Sequence, residues 1–599
     1  MIHESAALGT SGAREAAGRA TAQGFLNCYL RETGDWRVEE TPDGNTIVCP
    51  LPHQGIEISA PVRYLSPTGR HLFDFPLRYR IGGGEALDLD YATLVALAVK
   101  ELSLRYGDGG DGRGDELLLR VIESCHNVER FYEARRDDAD RLGASESAFI
   151  EAEQSLIFGH HLHPVPKSRQ DFSEIELPEY SPELEASFPL HYFRAHASVL
   201  ADGSALGESA TSLVKRELRE DPAVGEEFVR GYCGEDGYAL IPAHPWQAEF
   251  LMRKPEVRRL IERGLLEHLG PVGSPYSPTA SIRTVYRREA AFMLKLSLNV
   301  RITNSVRGNL PKELERGVEV HRIMEGGIGR ELRERFPGFD IIRDPAYLTV
   351  DTGEAQSGFE VVLRRNPYRG DHQPDAAPVI ALCQDHVSGE GSRLSRIVKR
   401  LAQKEERPTE EVARDWFRRY LDISLRPILW LYLRRGIAVE PHQQNSVVEL
   451  SGGYPARFRY RDNQGYYYRE SAREELERSV PGIGERSETF CEEAVSDERL
   501  RYYFFINNLF GVVNALGCGG VADERVLLAE IRRELERASE WSPPGSDLIP
   551  SLLDREKLPG KANLLTRFHD MDELVGDLAT QSVYAEIENP LARLAKEPR

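Results

Sequence analysis

Hydrophobic and polar side chains alternate along the stretch Phe292–Thr303. The period is two, which is the side-chain period of a β-strand. A short strand at Ser281–Tyr286 and a charged turn at Arg287–Glu289 precede it, so residues Ser281–Arg307 predict a β-hairpin. One face of the long strand is apolar, with Phe292, Leu294, Leu296, Leu298, Val300 and Ile302, and the other carries Lys295, Ser297, Asn299, Arg301 and Thr303.

The polar face of this hairpin is rich in hydrogen-bond donors. Lys and Arg side chains bind oxyanions as a point charge and as a planar fork, and hydroxyls between them add donors. The pattern predicts a site for a polyanion such as a triphosphate, with a solvated sheet face as the alternative. The residues concerned are Ser281, Arg283, Thr284, Lys295, Arg301 and Arg307.

The flanking segments predict a mixed fold. Residues 1–150 are mainly helical in pattern, with a short β portion near Trp36–Tyr64. The best boundary in the second half is the Gly- and Ser-containing stretch Asp385–Leu394. Beyond it, Thr409–Arg435 predicts a long helix that is kinked at Pro427 and ends at Gly436, and Arg457–Glu470 predicts a second hairpin.

The charge balance narrows the choice of partners. The formal net charge is -20 and the pI is about 5.4, which argues against nucleic acid or an anionic membrane as the main partner. A cluster of cations on one strand face of an acidic protein therefore indicates a local anion site.

The seven cysteines are scattered and never form a CxxC pair, and the chain has neither a leader-like start nor a long apolar run. We expect reduced thiols and a cytoplasmic protein.

Two loops carry further candidate chemistry. Gly159–Arg169 (GHHLHPVPKSR) has three histidines in four positions, which suits a metal, but its Lys167 and Arg169 suit phosphate oxygens better. Glu440–Asn445 (EPHQQN) is followed by Asp462, a layout typical of the magnesium-holding residues of kinase-like sites.

Taken together and in order, the motifs resemble those of one family, the siderophore synthetases that act without a nonribosomal peptide synthetase (the IucA/IucC or aerobactin-synthetase-like family). They span about two-thirds of the chain. They are Gly159–Arg169, HPWQ at His244–Gln247, SIRT at Ser281–Thr284, KLSLNVRITNSVR at Lys295–Arg307, EPHQQN at Glu440–Asn445, RDNQG at Arg461–Gly465 and KANLLTR at Lys561–Arg567.

The resemblance implies an α+β, three-part cupped-hand fold: a mostly helical thumb (1–150), fingers with β-hairpins (151–388) and a mostly helical, kinase-like palm (389–599). It implies a homodimer that binds ATP and Mg²⁺. It also implies that a carboxylate, usually of citrate, is adenylated with release of pyrophosphate. An amine or hydroxyl then attacks the acyl-adenylate and releases AMP.

The resemblance also assigns site residues. It implies catalytic roles for Lys295, Arg307, His442 and His163. It implies ATP or phosphate contacts from Ser281, Arg283, Thr284, Lys295, Arg307, His163, Lys167, Asn445 and Asp462. It implies carboxylate contacts from Thr303, Arg307, His442, Gln444, Lys561, Arg501 and Arg567, and a magnesium site at Asp462 and Asn445.

Some alternatives stay open. Gln464 stands where the resemblance implies an acidic residue near the adenosine, and the absence of clustered cysteines after Cys518 predicts no ferric-reductase-like C-terminal part. The acid is α-ketoglutarate or a preformed citryl monoamide in other branches of the family. A phosphotransferase that forms ADP, and a non-catalytic metal or siderophore carrier that uses His160, His161 and His163, are the rival functions.

Overall fold

The computed structural model describes residues 2–42, 44–107, 113–302, 305–389, 391–543, 545–571 and 583–594. The elements of the N-terminal part are α1 (Ile2–Thr33), β1 (Arg37–Thr41), β2 (Gly44–Leu51), β3 (Ile56–Tyr64), β4 (Leu72–Phe73), β5 (Leu77–Ile81), β6 (Leu87–Leu89), α2 (Tyr91–Tyr106), α3 (Arg113–Ala134), α4 (Ala139–Leu142) and α5 (Phe149–Glu153).

The β portion of this part is larger than the sequence predicts. An antiparallel sheet of order β1-β2-β3-β5-β6, with β4 beside β3, extends from Arg37 to Leu89. The following helix begins at Tyr91 because Asp90 caps it: the Asp90 carboxylate accepts a hydrogen bond from the Thr93 N–H at 2.9 Å. Helix α1 packs against α3, and the apolar faces of the sheet and helices form one core cluster.

The elements of the middle part are β7 (Arg169–Gln170), α6 (Glu176–Tyr180), β8 (Phe188–His196), β9 (Leu200–Ser204), α7 (Ala210–Glu220), α8 (Glu226–Phe228), β10 (Tyr238–Ala243), α9 (Pro245–Arg253), α10 (Pro255–Glu262), β11 (Leu266–Pro278), β12 (Thr284–Tyr286), β13 (Phe292–Leu296), β14 (Leu298–Ile302), β15 (Ser305–Arg307), α11 (Pro311–Glu325), α12 (Gly327–Arg335), β16 (Phe339–Ile342), β17 (Ala346–Val350), β18 (Val361–Arg365), β19 (Asp375–Pro378) and α13 (Val379–Cys383).

The hairpin prediction is confirmed in part. Strands β12 and β13 pair antiparallel, with Thr284 opposite Lys295, inside a large sheet of order β10-β8-β11-β12-β13-β18-β17-β9. The single long second strand is wrong. The chain leaves the sheet at Ser297, whose hydroxyl donates to the Glu360 carboxylate at 2.8 Å, and β14 belongs to a separate small sheet of order β15-β14-β7.

The elements of the C-terminal part are α14 (Arg393–Glu405), α15 (Thr409–Ile423), α16 (Leu425–Arg435), β20 (Ile437–Val439), β21 (Ser446–Ser451), β22 (Tyr454–Arg461), β23 (Tyr466–Arg469), α17 (Arg473–Ser479), β24 (Phe490–Cys491), α18 (Glu493–Leu500), α19 (Phe510–Cys518), α20 (Glu524–Ala538), α21 (Leu548–Asp554), β25 (Lys557–Lys561), α22 (Asn563–Phe568), β26 (Tyr584–Glu588) and α23 (Pro590–Arg593). A π-helical stretch, Arg501–Leu509, joins α18 to α19.

The predicted helix Thr409–Arg435 is two helices, α15 and α16, with a break shortly before Pro427. Because proline lacks an N–H and its ring clashes with the carbonyl four residues earlier, the break falls at Ser424, just before Pro427. Gly436 ends α16 with a φ of 67°, the left-handed cap expected of it.

The second predicted hairpin is wrong. Strand β22 pairs with β21 and β16 in a sheet of order β16-β22-β21-β19, whereas β23 pairs with β20 and β24. The RDNQG segment therefore carries the chain from one sheet to another. The first of these sheets joins β16 and β19 to β21 and β22, so it crosses the predicted boundary near Asp385. The fold is α+β, and its division into thumb, fingers and palm stays a prediction.

All seven cysteines lie within the described residues and are free thiols. In the part of the chain that the structure covers, the helices are either too short or too polar to span a bilayer.

Candidate active site

A cavity of about 630 Å³ lies where the β12–β13 hairpin faces the loops that follow β20 and β22. Twelve of the fifteen residues that the sequence assigns to a site line it, although they come from four separated segments of the chain. They are His163, Lys167, Ser281, Arg283, Thr284, Lys295, Arg307, His442, Gln444, Asn445, Asp462 and Lys561.

Lys295 and Asp462 form the centre of this cavity. The Lys295 ammonium on β13 donates to Asp462 Oδ1 at 2.8 Å and to Asn463 Oδ1 at 2.5 Å. Burial lowers the pKa of Lys295 to about 8, although the Asp462 carboxylate opposes this. Burial would raise the pKa of Asp462, but the charges of Lys295 and Arg364 outweigh it and hold that pKa well below its usual range. The pair is therefore ionised at neutral pH.

Arg283 braces the cavity wall. Its guanidinium donates to the backbone carbonyls of Arg307 (3.0 Å) and Gly308 (2.9 Å), to Asn309 Oδ1 (3.0 Å) and to Gln464 Oε1 (3.0 Å). Burial, with the nearby charge of Arg307, lowers the pKa of Arg283 to about 10. Arg283, which the sequence predicts to contact phosphate, thus binds the backbone at the end of the strand that carries Arg307 and links that strand to the RDNQG segment.

The turn that presents Ser281 is strained. Ile282, which is buried and β-branched, has a φ of 66°, a left-handed conformation that such residues rarely adopt. The turn is closed by the Ile282 N–H donating to the Thr279 carbonyl at 2.8 Å, and the Ser281 hydroxyl accepts from the Thr284 N–H at 3.2 Å. Strained backbone at a cavity edge is typical of binding sites.

The loop at Gly159–Arg169 forms another wall, and its cations have a carboxylate partner. Glu183 accepts a hydrogen bond from the Lys167 ammonium, and Arg169 Nη2 donates to both of its carboxylate oxygens, at 2.7 Å to Oε1 and 2.6 Å to Oε2. All three side chains are buried. Burial opposes the ionisation of Glu183, but Arg169 and Lys167 lower its pKa to about 2. Lys167 therefore ties this loop to the YSPE segment as well as lining the cavity.

The three histidines of this loop point to different partners. His160 lies 2.8 Å from the Asn507 amide, the His161 ring accepts from the Asp385 N–H at 3.3 Å, and the His163 ring accepts from the Val165 N–H at 3.1 Å. Among the residues that the structure describes, no group of three or more His, Cys, Asp and Glu side chains is placed to hold a metal. This arrangement does not favour the metal-carrier alternative.

The EPHQQN loop supplies the opposite side of the cavity. The Gln444 N–H donates to His442 Nδ1 at 3.3 Å, and the Asn445 side chain donates to Asp462 Oδ2 at 3.1 Å. Burial lowers the pKa of His442 to about 3, so its ring is neutral at pH 7. Arg461 holds the loop, because its guanidinium donates to the Gln444 carbonyl at 2.9 Å.

Asp462 and Asn445, the two predicted magnesium ligands, lie side by side in the cavity lining. The Asn445 amide nitrogen donates to Asp462 Oδ2 at 3.1 Å, and the charges of Lys295 and Arg364 keep the Asp462 carboxylate ionised, which leaves an anionic oxygen ligand in the cavity. Magnesium binds through one or two protein oxygens together with substrate phosphates.

The far end of the cavity is built by the β25 and α18–α19 segments. The Lys561 ammonium lies 5.9 Å from the centroid of the Tyr503 ring, and Arg499, Tyr502 and Asn507 complete this end. The sequence analysis missed these residues of the RLRYYFFINN segment. A basic residue beside two tyrosines was the available signal, but the π-helical turn sets which of them face inward.

Two predicted carboxylate ligands lie outside the cavity lining. Arg501 is buried within the C-terminal helices and donates to the Ser551 hydroxyl at 3.0 Å. Arg567 is buried against the N-terminal part, where it donates to Asp570 at 3.1 Å and to the Gln170 side chain at 3.3 Å. Both guanidiniums have structural partners and neither lines the cavity, so their assignment to the substrate stays a prediction without support from this geometry. Thr303 lies outside the described residues.

The lining has a strong excess of positive charge. Among the described residues, four carboxylates line the cavity (Glu313, Glu440, Asp462 and Glu488) against ten cations, which are Lys167, Arg283, Lys295, Arg307, Lys312, Arg316, Arg364, Arg461, Arg499 and Lys561. Such a cavity in an acidic protein suits a highly anionic ligand.

Comparison with known proteins is consistent with this geometry. The model of the IucA / IucC family matches residues 148–384. A spermidine-citrate ligase of Bacillus anthracis is 46% identical over 597 residues, which cover 97% of this chain and 98% of the relative. The chain belongs to the IucA/IucC family.

Two further proteins are similar to this chain over nearly their whole length. The rhizobactin siderophore biosynthesis protein RhbC of Rhizobium meliloti (strain 1021) is 40% identical over 579 residues, 96% of this chain and 98% of the relative. The solved structure of ATP-bound aerobactin synthetase IucA from a hypervirulent pathotype of Klebsiella pneumoniae superposes with a TM-score of 0.87. It is 29% identical and covers 96% of this chain and 99% of that one.

A second family model, the ferric iron reductase FhuF-like transporter, matches residues 414–576. This match shows a ferric-reductase-like similarity that the sequence analysis did not expect, but it does not test the expectation about a C-terminal extension with clustered cysteines. The matched region is not an added segment, because it contains the EPHQQN and RDNQG motifs that line the cavity.

Proposed function

We propose that this protein is a siderophore-biosynthesis synthetase that uses ATP to join a carboxylate of citrate to an amine. The carboxylate attacks the α-phosphate and forms an acyl-adenylate with release of pyrophosphate. The amine then attacks the acyl carbon, and AMP leaves. The proposal rests on one observation above the others: the motif residues from four chain segments meet in one cavity with a large excess of cations.

The charge of the cavity addresses the first obstacle to adenylation. A polycarboxylate and a nucleotide triphosphate repel each other, and fixed cations lower that repulsion before the reaction begins. We assign Lys295 and Arg307, which both line the cavity, to the α-phosphate, where negative charge develops in the transition state. Ser281, Thr284 and His163 supply further donors along the same wall.

Lys295 does not have to be desolvated for this task, because the protein has already buried it. On nucleotide binding its ammonium exchanges, in whole or in part, the Asp462 oxygen at 2.8 Å for a phosphate oxygen. Asp462 and Asn445 would then hold magnesium, which neutralises phosphate charge and polarises the phosphorus centre when it is bound.

The acid is assigned to the opposite end of the cavity. Lys561, Gln444, His442 and Arg307 lie between the nucleotide wall and the π-helical stretch, and they offer charged and neutral donors to several carboxylates at once. The names of the relatives, one a spermidine-citrate ligase, support citrate as the acid and an amine as the nucleophile. No nucleophilic side chain is required, since the adenylate itself activates the carbonyl.

The decisive experiment is ATP–pyrophosphate exchange by the purified protein with Mg²⁺, comparing citrate, α-ketoglutarate, succinate and no acid. Citrate-dependent exchange is expected, followed by AMP and an amide when spermidine is added. Exchange that depends on α-ketoglutarate would move the protein to another branch of the family. ADP formation in place of AMP would support a phosphotransferase and overturn the proposal.

A further inference from the structure

Glu440 is one of the carboxylates of the cavity that the proposed adenylation does not use. It follows β20 directly and opens the EPHQQN loop. Its Oε1 accepts a hydrogen bond from the Tyr467 hydroxyl at 2.5 Å. Within the described residues its other carboxylate oxygen accepts no hydrogen bond from the protein, although the side chain lines the cavity.

The other three carboxylates of the lining already have partners. Asp462 is paired with Lys295, and Glu488 with Lys312 at 3.2 Å. Glu313 accepts from the Leu310 N–H and from the Gln464 amide, and so it caps α11. Glu440 is therefore the acidic group best placed to bind a cationic ligand.

The position of the Glu440 side chain requires a glycine at residue 465. A Cβ on Gly465 would lie 2.7 Å from the Glu440 Cβ and 2.8 Å from its Cγ, so a larger residue would displace the carboxylate. The Glu440 N–H also donates to the Gly465 carbonyl at 3.1 Å. Gly465 of the RDNQG motif thus leaves the space that the Glu440 side chain of the EPHQQN motif occupies.

The charged and titratable groups that face Glu440 are the Tyr467 hydroxyl, the Arg499 guanidinium, Asp462 and Lys561. Burial raises the pKa of Glu440, while Arg499 and the Tyr467 hydrogen bond lower it. An arriving ammonium ion would favour the ionised form still further.

The spacing in this loop has a parallel in kinase-like sites. There the acid that accepts the proton of the attacking nucleophile precedes the magnesium-binding Asn by five positions. Glu440 precedes Asn445 by the same interval. This comparison is an analogy. In both cases the acid and the asparagine belong to one loop, and here both side chains line the cavity.

We propose that Glu440, supported by Tyr467, binds the ammonium group of a cationic amine co-substrate and accepts its proton as the amine attacks the acyl-adenylate. This inference rests on the proposed function. One N–H proton passes to the carboxylate, and the freed lone pair forms the C–N bond. The C–O bond to the phosphate breaks and AMP leaves with that electron pair. A second N–H proton passes to the departing phosphate, and the third stays on the nitrogen as the amide N–H.

The test separates the two half-reactions in Glu440→Gln, with Glu470→Gln as the matched control, since Glu470 is ion-paired with Arg473 at 2.6 Å outside the cavity lining. We expect Glu440→Gln to keep citrate-dependent pyrophosphate exchange within about twofold and to lose at least about 100-fold in kcat/KM for spermidine. Hydroxylamine is uncharged at neutral pH, and its product should fall by less than about tenfold. Glu470→Gln should match the wild type in all three assays.

Parallel loss of exchange and amide formation in Glu440→Gln would assign Glu440 to the nucleotide or the acid and overturn the proposal, as would an unchanged kcat/KM for spermidine. If Glu440→Gln does not fold, Tyr467→Phe decides, because it removes only the hydrogen bond to Glu440. A raised KM for spermidine with unchanged exchange supports the proposal, and an unchanged KM overturns it. Failure of exchange in the wild type would instead count against the proposed function.

Discussion

The Lys295 ammonium lies 2.8 Å from Asp462 Oδ1, although 167 positions separate the two residues in the chain. Lys295 belongs to the large sheet and Asp462 follows β22, so this buried ion pair joins the two sides of the cavity. Removing one member of a buried pair leaves the other charge uncompensated. Each member therefore compensates the buried charge of the other, and under the proposed function Lys295 would be the cation that a phosphate oxygen contacts.

The lowered pKa of Lys295 predicts the alkaline limit of nucleotide use. The ammonium is protonated below pH 8 and loses its charge as the pH rises through about 8. We expect kcat/KM for ATP in the exchange assay to be level below that pH and to fall by about tenfold per pH unit above it. Lys295→Arg is the control, since a guanidinium keeps its charge throughout this range. An unchanged alkaline limb in Lys295→Arg would assign that limb to another group.

Arg307 and Arg301 form a matched pair for the phosphate wall. Both belong to the small sheet β15-β14-β7, but Arg307 lines the cavity, whereas the Arg301 guanidinium donates to Asp570 at 2.9 Å outside it. Arg307→Ala should lower citrate-dependent exchange by about 1000-fold or more with little change in melting temperature, because a transition-state contact is lost. Arg301→Ala should leave exchange within about threefold. Equal losses in the two variants would contradict the assignment of Arg307.

Local pattern was enough to predict the antiparallel β12–β13 pairing and the cations on it, whereas the family resemblance supplied the other predicted residues of the cavity. The register did not follow from the predicted turn Arg287–Glu289, since Val285 lies opposite Leu294 and the connection is therefore longer. The break at Ser297 could not be predicted either, because alternation continues unchanged to Ile302. The cause is Glu360, which lies 63 residues later and binds the Ser297 hydroxyl. A contact so distant in sequence has no local signature.

The family resemblance assigned Arg501 to the substrate, whereas Arg499 and Tyr503 of the same segment line the cavity and Arg501 does not. Arg501 begins a π-helical stretch, in which successive side chains are rotated differently from those of an α-helix. A short sequence motif does not encode that rotation. The RDNQG segment was expected to be a hairpin turn, but the strands on either side of it, β22 and β23, belong to different sheets.

Lys167 tests whether the first loop binds phosphate or braces the fold. Lys167→Ala leaves the buried Glu183 with Arg169 as its remaining cationic partner. We expect the free energy of unfolding to fall by about 3 kcal/mol, measured by chemical denaturation, and Glu183→Gln in the same background to restore part of it. ATP affinity per folded molecule should change by less than about tenfold. Unchanged stability with lost ATP binding would show that the phosphate role dominates.

Gln464 is required as an amide, although the family resemblance implies an acid at its position. Its Nε2 donates to Glu313 Oε2 at 2.7 Å, and its Oε1 accepts from Arg283 at 3.0 Å. Gln464→Glu would place two carboxylates in contact, so we expect a loss of about 1–3 kcal/mol in the free energy of unfolding. The loss should shrink below pH 5, where one carboxyl gains a proton. Gln464→Met, which lacks the repulsion, should show no such recovery.

Lys561 and Arg567 test the two ends of the KANLLTR motif. Lys561 lines the cavity beside Tyr503, whereas Arg567 is buried against Asp570 and Gln170. We expect Lys561→Ala to raise KM for citrate at least about tenfold with an unchanged melting temperature, since a charged contact to the acid is lost. Arg567→Ala should leave KM for citrate unchanged and lower the melting temperature, because Asp570 and Glu116 lose a neighbouring positive charge. Steady-state exchange kinetics and thermal melts of the same preparations separate the two effects. A raised KM for citrate in Arg567→Ala, without loss of stability, would return Arg567 to the substrate site.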